Sequence, residues 1–445
     1  MSYLIKNCDL AELQTLGYSR CDLRIDGDRI KEIAPHIDRQ PADTVVDARG
    51  MLALPAFVDC HCHAFQSFSK GYMDDYPITR WLVRMGNFHQ YMKEEDYYYA
   101  ALLSCLEGMR FGTTTINEMI CDRAYVDAEV QAFRDAGMRL TIGIGNHTDV
   151  VENEKTSIKT IDECLRESED IYQKYNGIDA DMVRTCCAPA GLPAVSRELM
   201  QALKQFARER GLILHTHLAE GKQETENVRR REGMWECECL YEFGVLDEKT
   251  LLAHSIWLQD YELDLIKKSG ANPVHCPNTN MKISDGIPKI HQMLQRGINV
   301  TLGCDGEASS STRDMIREAR AGAYLQKAAT LDATAMDMRS AYRMMTANGA
   351  RALGYADLGE LRTGGKADLL LIDTSKDVAL VNRATRLSNL LYAGTGHAVD
   401  TVFANGHMTV RGGEFVSLDA QAILEKCEQI LARIDRQFSI QEAKK

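Results

Sequence analysis

Leu52-Ala53-Leu54-Pro55-Ala56-Phe57-Val58-Asp59-Cys60-His61-Cys62-His63 is an apolar run closed by two histidines. It reads as a buried strand that delivers side chains at its C-terminal end. Strand side chains alternate faces, so His61 and His63 point the same way while Cys60 and Cys62 face away from them. Two parallel imidazoles are half of a metal site. Alone the pair is weak evidence, because exposed strands carry His-x-His by chance.

The same grammar recurs further along. Strand candidates run Leu52 to His61, Thr113 to Met119, Arg139 to Gly145, Met182 to Pro189, Leu212 to His217, Leu251 to His254, Asn272 to Asn278 and Ile298 to Asp305. Helix-like segments separate them. In Glu94 to Arg110, for example, Leu102, Leu103, Leu106 and Met109 stand at helical spacing and Gly112 follows the end. Eight strands alternating with helices over roughly 250 residues or somewhat more predict an α/β fold, a (β/α)8 TIM barrel, across residues 52–356. Residues 1–51 and 357–416 read differently, as short strands with turns at Asp26-Gly27, Gly364-Gly365 and Asn405-Gly406. The two chain ends are expected to build one small β-sandwich domain around the inserted barrel. Residues 417–445 predict a C-terminal helix, with Ile423, Leu424, Cys427, Ile430, Leu431 and Ile434 as its packing stripe.

Bulk properties narrow the class of protein. A chain of 445 residues exceeds one ordinary core, and 45% apolar with 26% charged residues is a normal globular balance. A net charge of -12 with scattered acids argues against nucleic acid or an anionic membrane surface as partner. No apolar run approaches the roughly 18 residues of a membrane span, and the start lacks a secretory apolar core. Of the 14 cysteines, Cys105, Cys186, Cys187, Cys276 and Cys304 lie inside apolar segments, and Cys237 and Cys239 lack a second pair at zinc-finger spacing. A reduced, cytoplasmic setting is expected.

Four strand ends hold the chemistry. After His61 and His63 come His215 and His217, then His254, then Asp305, each closing an apolar strand. A buried histidine alone is usually a satisfied core residue, and a lone aspartate after a strand often caps a helix. Four strand ends with the same habit point instead to one site at the face where such barrels keep their active sites. Mixed His and Asp ligands suit one divalent metal ion, zinc first and iron as the alternative, with a position left for water. Glu220 follows His217 by three residues, so its carboxyl group can shuttle protons there. The plain alternative for Glu220 is a first-turn residue favoured by the helix dipole.

The motifs His61-Cys62-His63, His215-Thr-His-Leu-Ala-Glu220, Ala253-His254, His275-Cys-Pro-Asn-Thr-Asn-Met-Lys282 and Gly303-Cys-Asp-Gly-Glu-Ala-Ser309 resemble, in order, those of the amidohydrolase superfamily. The nearest group is its cytosolic N-heterocycle deaminases: methylthioadenosine/S-adenosylhomocysteine, guanine and 8-oxoguanine deaminases and the s-triazine hydrolases. The resemblance implies His61, His63, His217 and Asp305 as ligands of one metal and Glu220 as proton shuttle. It implies that His254 orients the attacking water and that Asp305 accepts its proton. The two-metal branch carries a lysine at the end of strand four, and Met182 to Pro189 has none. His215 is left to packing or a supporting hydrogen bond. A homo-oligomer is implied by resemblance alone.

The reaction so implied is metal-hydroxide attack on the amino-bearing carbon of an N-heterocycle (oxo-aminopurine, pterin or adenosine-derived), with ammonia released. Gln66, where guanine and 8-oxoguanine deaminases also carry glutamine, can both donate to and accept from a lactam edge. Trp81 can stack on a flat ring or simply fill the core. Gln90 and Ala190 stand where the nucleoside deaminases carry a glutamate and a histidine that reach the ribose, which puts methylthioadenosine in doubt. Two rivals remain: a triazine-type hydrolase releasing chloride or alkylamine, and a catalytically inactive barrel that serves as a binding protein.

Overall fold

The structure, a computed structural model, describes residues 2–147 and 159–442. Its first strands, Ser2–Glu12, Gly17–Asp26 and Arg29–Ala34, are consecutive antiparallel neighbours. Asp43–Asp47 and Met51–Pro55 both lie parallel to Ser2–Glu12. They pair on either side of the irregularity between Ile5 and Cys8. From the other end of the chain, Leu369–Asp373, Val399–Ala404, His407–Arg411 and Glu414–Phe415 join the same nine-stranded sheet. The seam is antiparallel, with Leu52 opposite Ile372 and Leu54 opposite Leu370. Ile5, Leu23, Ile25, Leu369, Leu371 and Phe403 form a core on this sheet. At the turn Asn405-Gly406 only glycine fits: φ is +78° and a Cβ would stand 1.9 Å from the Gly27 carbonyl oxygen.

The parallel strands are Phe57–Cys62, Thr113–Ile120, Arg139–Asn146, Val183–Thr185 with Ala188–Pro189, Leu214–Leu218, Thr250–His254, Asn272–His275 and Thr301–Leu302. They form two parallel sheets in sequence order. Parallel backbone bridges join these sheets at both edges, Cys187 to Leu214 and Cys62 to Asp305. The strands are buried almost throughout, as parallel strands covered on both faces must be. Intervening helices begin and end on ordinary signals. Asp122 caps Arg123–Ala136 and Gly137 ends it at φ 70°; Ser196 caps Arg197–Arg210 and Gly211 ends it at φ 71°.

Several boundaries differ from expectation, each for a local reason. The stretch 52–61 is not one strand: Met51–Pro55 belongs to the nine-stranded sheet and Phe57–Cys62 to the parallel one. Between them the Ala56 amide donates to the Asp368 carbonyl, and Pro55 has no amide to extend the ladder. The stretch 182–189 breaks because Cys187 leaves one neighbour for the next, donating to Ile213 and accepting from His215. Asn272 to Asn278 stops at His275, since Pro277 opens the helix Pro277–Lys282. Ile298 to Asp305 forms a strand only at Thr301–Leu302, with a single further bridge at Asp305, and Leu212 to His217 begins at Leu214. The final helix, Ala420–Glu442, lies against Glu94–Arg110, with Arg433 donating to the Tyr91 carbonyl and paired with Asp96. Cys427, Ile430 and Ile434 are buried there, but Leu424 is 42% exposed and is not part of the buried stripe. Among the described residues no helix is long and apolar enough to cross a membrane.

Candidate active site

Four imidazoles and two carboxylates meet where the parallel strands end. Candidate ligand atoms of His61, His63 and His217 all lie within 4.8 Å of one another, as do those of His61, His254 and Asp305, and those of His217, Glu220 and His254. His63 Nε2 is 3.4 Å from His217 Nε2. Asp305 Oδ1 is 3.4 Å from His61 Nε2 and 3.5 Å from His63 Nε2. Separations of this size are those between ligands bonded at about 2.0–2.1 Å to one zinc ion.

Hydrogen bonds behind the rings turn the lone pairs inward. His63 Nδ1 donates to the Met119 carbonyl at 2.8 Å and His217 Nδ1 to the Ala190 carbonyl at 2.5 Å. His254 Nδ1 donates to Asn280 Oδ1 at 3.0 Å. His61 Nδ1 stands 2.9 Å from His215 Nε2, which gives His215 the supporting hydrogen bond expected of it. With each Nδ1 committed, Nε2 is the free acceptor facing the shared point. The Nε2 atoms of His61 and His254 are buried with no hydrogen-bond partner in the protein. Unpaired buried acceptors converging with a carboxylate fit a cation.

Electrostatics agree with the geometry. Burial pushes the pKa of His61, His63 and His217 down, which keeps them neutral, the form able to bind a cation. Burial would raise Asp305, but the imidazoles of His61, His254 and His63 around it outweigh burial and hold it well below the usual carboxylate range. Burial, then Asp305, Glu224 and Glu236, push Glu220 well above its ordinary value, which favours the protonated carboxyl. Its Oε1 is 3.4 Å from His254 Nε2. The backbone is strained at these strand ends: Ala219, His254 and Asp305 hold φ of 49°, 67° and 62°, where residues with a Cβ rarely sit.

A cavity of about 450 Å³ opens on this cluster. Gln66 and Trp81, the two expected substrate contacts, both line it. Gln66 is buried with its Oε1 unpaired, and a Cβ on Gly306 would come within 1.9 Å of that oxygen. Trp81 lies in the first turn of Ile78–His89, with its indole nitrogen also unpaired. Gln90 and Ala190 line the same cavity. Asn278, by contrast, is committed to Glu318, its amide nitrogen 2.6 Å from Oε1.

Sequence reasoning missed the supports. Arg313 is buried between Asp59 and Glu307, at 3.1 and 2.8 Å, and Asp59 accepts the amides of His61 and Cys304. Asp59 inside an apolar strand was the available signal, since a buried charge needs a partner; nothing local named one 254 residues away. Glu236, which accepts the Ala219 amide at 3.1 Å, was equally silent.

Parallel strands ending in this donor set define a metallohydrolase of the amidohydrolase kind. A model of the Amidohydrolase family matches residues 52–409, and the chain belongs to that family. It is 34% identical over 423 residues to a 5'-deoxyadenosine deaminase of Methanothermobacter thermautotrophicus, covering 94% of this chain and 96% of that one. It is 33% identical over 430 residues to a 5-methylthioadenosine/S-adenosylhomocysteine deaminase of Pyrococcus furiosus, covering 96% and 100%. Its fold is that of a zinc-bound adenosine deaminase from Xanthomonas campestris, with a TM-score of 0.90, 24% identity and 98% of each chain covered. Atrazine chlorohydrolase from Arthrobacter aurescens TC1, complexed with zinc, shares the fold at a TM-score of 0.90 and 22% identity, covering 96% of this chain and 100% of that one.

Proposed function

We propose that this chain is a metal-dependent aminohydrolase that removes the amino group of an adenosine-derived heterocycle as ammonia. The observation that carries the reading is the convergence of His61, His63, His217 and Asp305 beside Glu220, with a cavity opening on the cluster. Those four residues would hold one divalent cation, zinc or iron. When bound, such an ion lowers the pKa of a coordinated water to about 7.

The chain's own groups supply the rest. Glu220 gives its proton to the ring nitrogen next to the amino-bearing carbon, so that the carbon can become tetrahedral without leaving negative charge on the ring. His254, oriented by Asn280, presents Nε2 to the attacking water, and Asp305 takes up its proton. The cavity matches the size of ordinary small-molecule sites. Its apolar wall, with Trp81, Leu82 and Met85, suits a flat ring, and the Gln66 side-chain amide can donate to a ring nitrogen. The names of the relatives support an adenosine-derived substrate over the lactam-bearing purines that Gln66 alone would favour.

The same reading extends to architecture. The bridges Cys187 to Leu214 and Cys62 to Asp305 support closure of the parallel strands into a (β/α)8 barrel over residues 52–356. The switch of partners along Ser2–Glu12 supports a nine-stranded sheet folded on itself as a sandwich, from residues 1–51 and 357–416. Fourteen cysteines without a disulfide support a reducing, cytoplasmic setting.

Purified protein assayed with adenosine, 5'-deoxyadenosine, methylthioadenosine, guanine, pterin and a chlorotriazine, read for ammonia, chloride and alkylamine, tests the activity. Ammonia release from an adenosine compound, cut by about 10²- to 10⁴-fold in Glu220→Gln, is expected. Chloride release alone, or turnover indifferent to Glu220, overturns the reading.

A further inference from the structure

We propose that His89 is a specificity-determining residue, whose imidazole exchanges hydrogen bonds with a sugar hydroxyl of the substrate. This deepens the deaminase reading and rests on it. His89 is the last residue of Ile78–His89 and lines the same cavity as His63, Gln66, Trp81 and Glu220. Its ring packs edge-on to Phe65 with centroids 5.0 Å apart, which fixes where it stands.

His89 differs from the four histidines of the ligand cluster in one respect. His61, His63, His217 and His254 each have Nδ1 engaged by a protein group. Among the described residues, neither ring nitrogen of His89 has a hydrogen-bond partner, and Nε2 is shut off from solvent. It is also not one of the residues that converge on the metal-ligand cluster. A buried polar atom without a partner is costly, and such atoms beside a cavity are commonly matched by what enters it.

The chemistry of the ring selects the partner. Burial and the nearby His63 hold its pKa at about 3, so the ring is neutral at working pH, with one donor and one acceptor. A hydroxyl group likewise gives one hydrogen bond and takes others. The neighbouring wall of Trp81, Leu82 and Met85 is largely apolar, so a sugar hydroxyl placed there finds its match in His89.

Kinetics of the wild type and His89→Phe on adenosine, 5'-deoxyadenosine and 2',3'-dideoxyadenosine decide the matter. Phenylalanine keeps the ring and its packing and removes both nitrogens. Expected is a loss of kcat/KM of about tenfold, carried by KM, confined to compounds bearing one particular hydroxyl, with partial recovery in His89→Asn. An equal loss on all three compounds, or none, overturns the role of His89 while leaving the deaminase reading intact. Wild-type protein that releases ammonia from none of them removes both.

Discussion

His63 and His217 lie 154 residues apart in the chain and face one another Nε2 to Nε2 at 3.4 Å. Two neutral imidazoles that both present lone pairs repel, and here each ring is locked by a hydrogen bond on its other nitrogen. A cation between the acceptors would turn this repulsion into attraction. Stripping metal with a chelator is therefore expected to lower the melting temperature, and stoichiometric zinc to restore it. A ligand at a thousand times its dissociation constant stabilises by about 4 kcal/mol. Calorimetry of His63→Ala should show no zinc-dependent recovery. An unchanged melting temperature in the stripped wild type would contradict this account.

His215 supports the cluster from behind. It is fully buried, and its Nε2 meets His61 Nδ1 at 2.9 Å. Replacing it by Phe keeps the ring volume and removes the acceptor that holds His61 in its ligating tautomer. Metal affinity should fall by about 10- to 100-fold, measured by competition with a chromophoric chelator. Equal affinities would leave His215 a packing residue only.

What the sequence disclosed followed from periodicity and from strand ends. Each of the eight stretches read as strands contains a parallel strand, because uninterrupted apolar runs between helix signals have few other readings. Glu94–Arg110 ends where Gly112 said it would. His61, His63, His217, His254, Asp305 and Glu220 were legible together because strands in register bring their ends to one place. Hidden were contacts whose partners no spacing rule connects, such as Asn280 with His254. The break at Pro55 was missed because apolarity continues through it while the hydrogen bonds change sheet.

Glu118 makes stability depend on pH. Burial is the main cause that lifts its carboxyl from an ordinary 4.5 to about 8, and Oε1 has no partner. Between those values the unfolded chain has released a proton that the folded chain retains. Stability from this group is thus complete below about pH 4.5, falls as pH rises, and levels off above about 8. Glu118→Gln copies the protonated form and still accepts the Ala64 amide. Its melting temperature should vary less than that of the wild type from about pH 5 to 8 and exceed it at the upper end. Parallel curves would show that the slope arises elsewhere.

Arg313 ties the two strands that carry His61 and Asp305. Its guanidinium reaches Asp59 at 3.1 Å, Glu307 at 2.8 Å and the Ser104 hydroxyl at 2.9 Å, all of them buried. Asp59 in turn holds the amides of His61 and Cys304, one on each strand end. Removing one partner of a buried ion pair leaves an uncompensated charge, at a cost of about 3–5 kcal/mol. Arg313→Met should lose that much by urea denaturation, measured at fixed zinc. Adding Asp59→Asn and Glu307→Gln to it should restore part of the loss, because the stranded charges are gone; asparagine at 59 still offers an oxygen to the two amides. A triple variant as unstable as the sum of its parts would mean that the three residues act independently and that Arg313 does not hold the strand ends through Asp59.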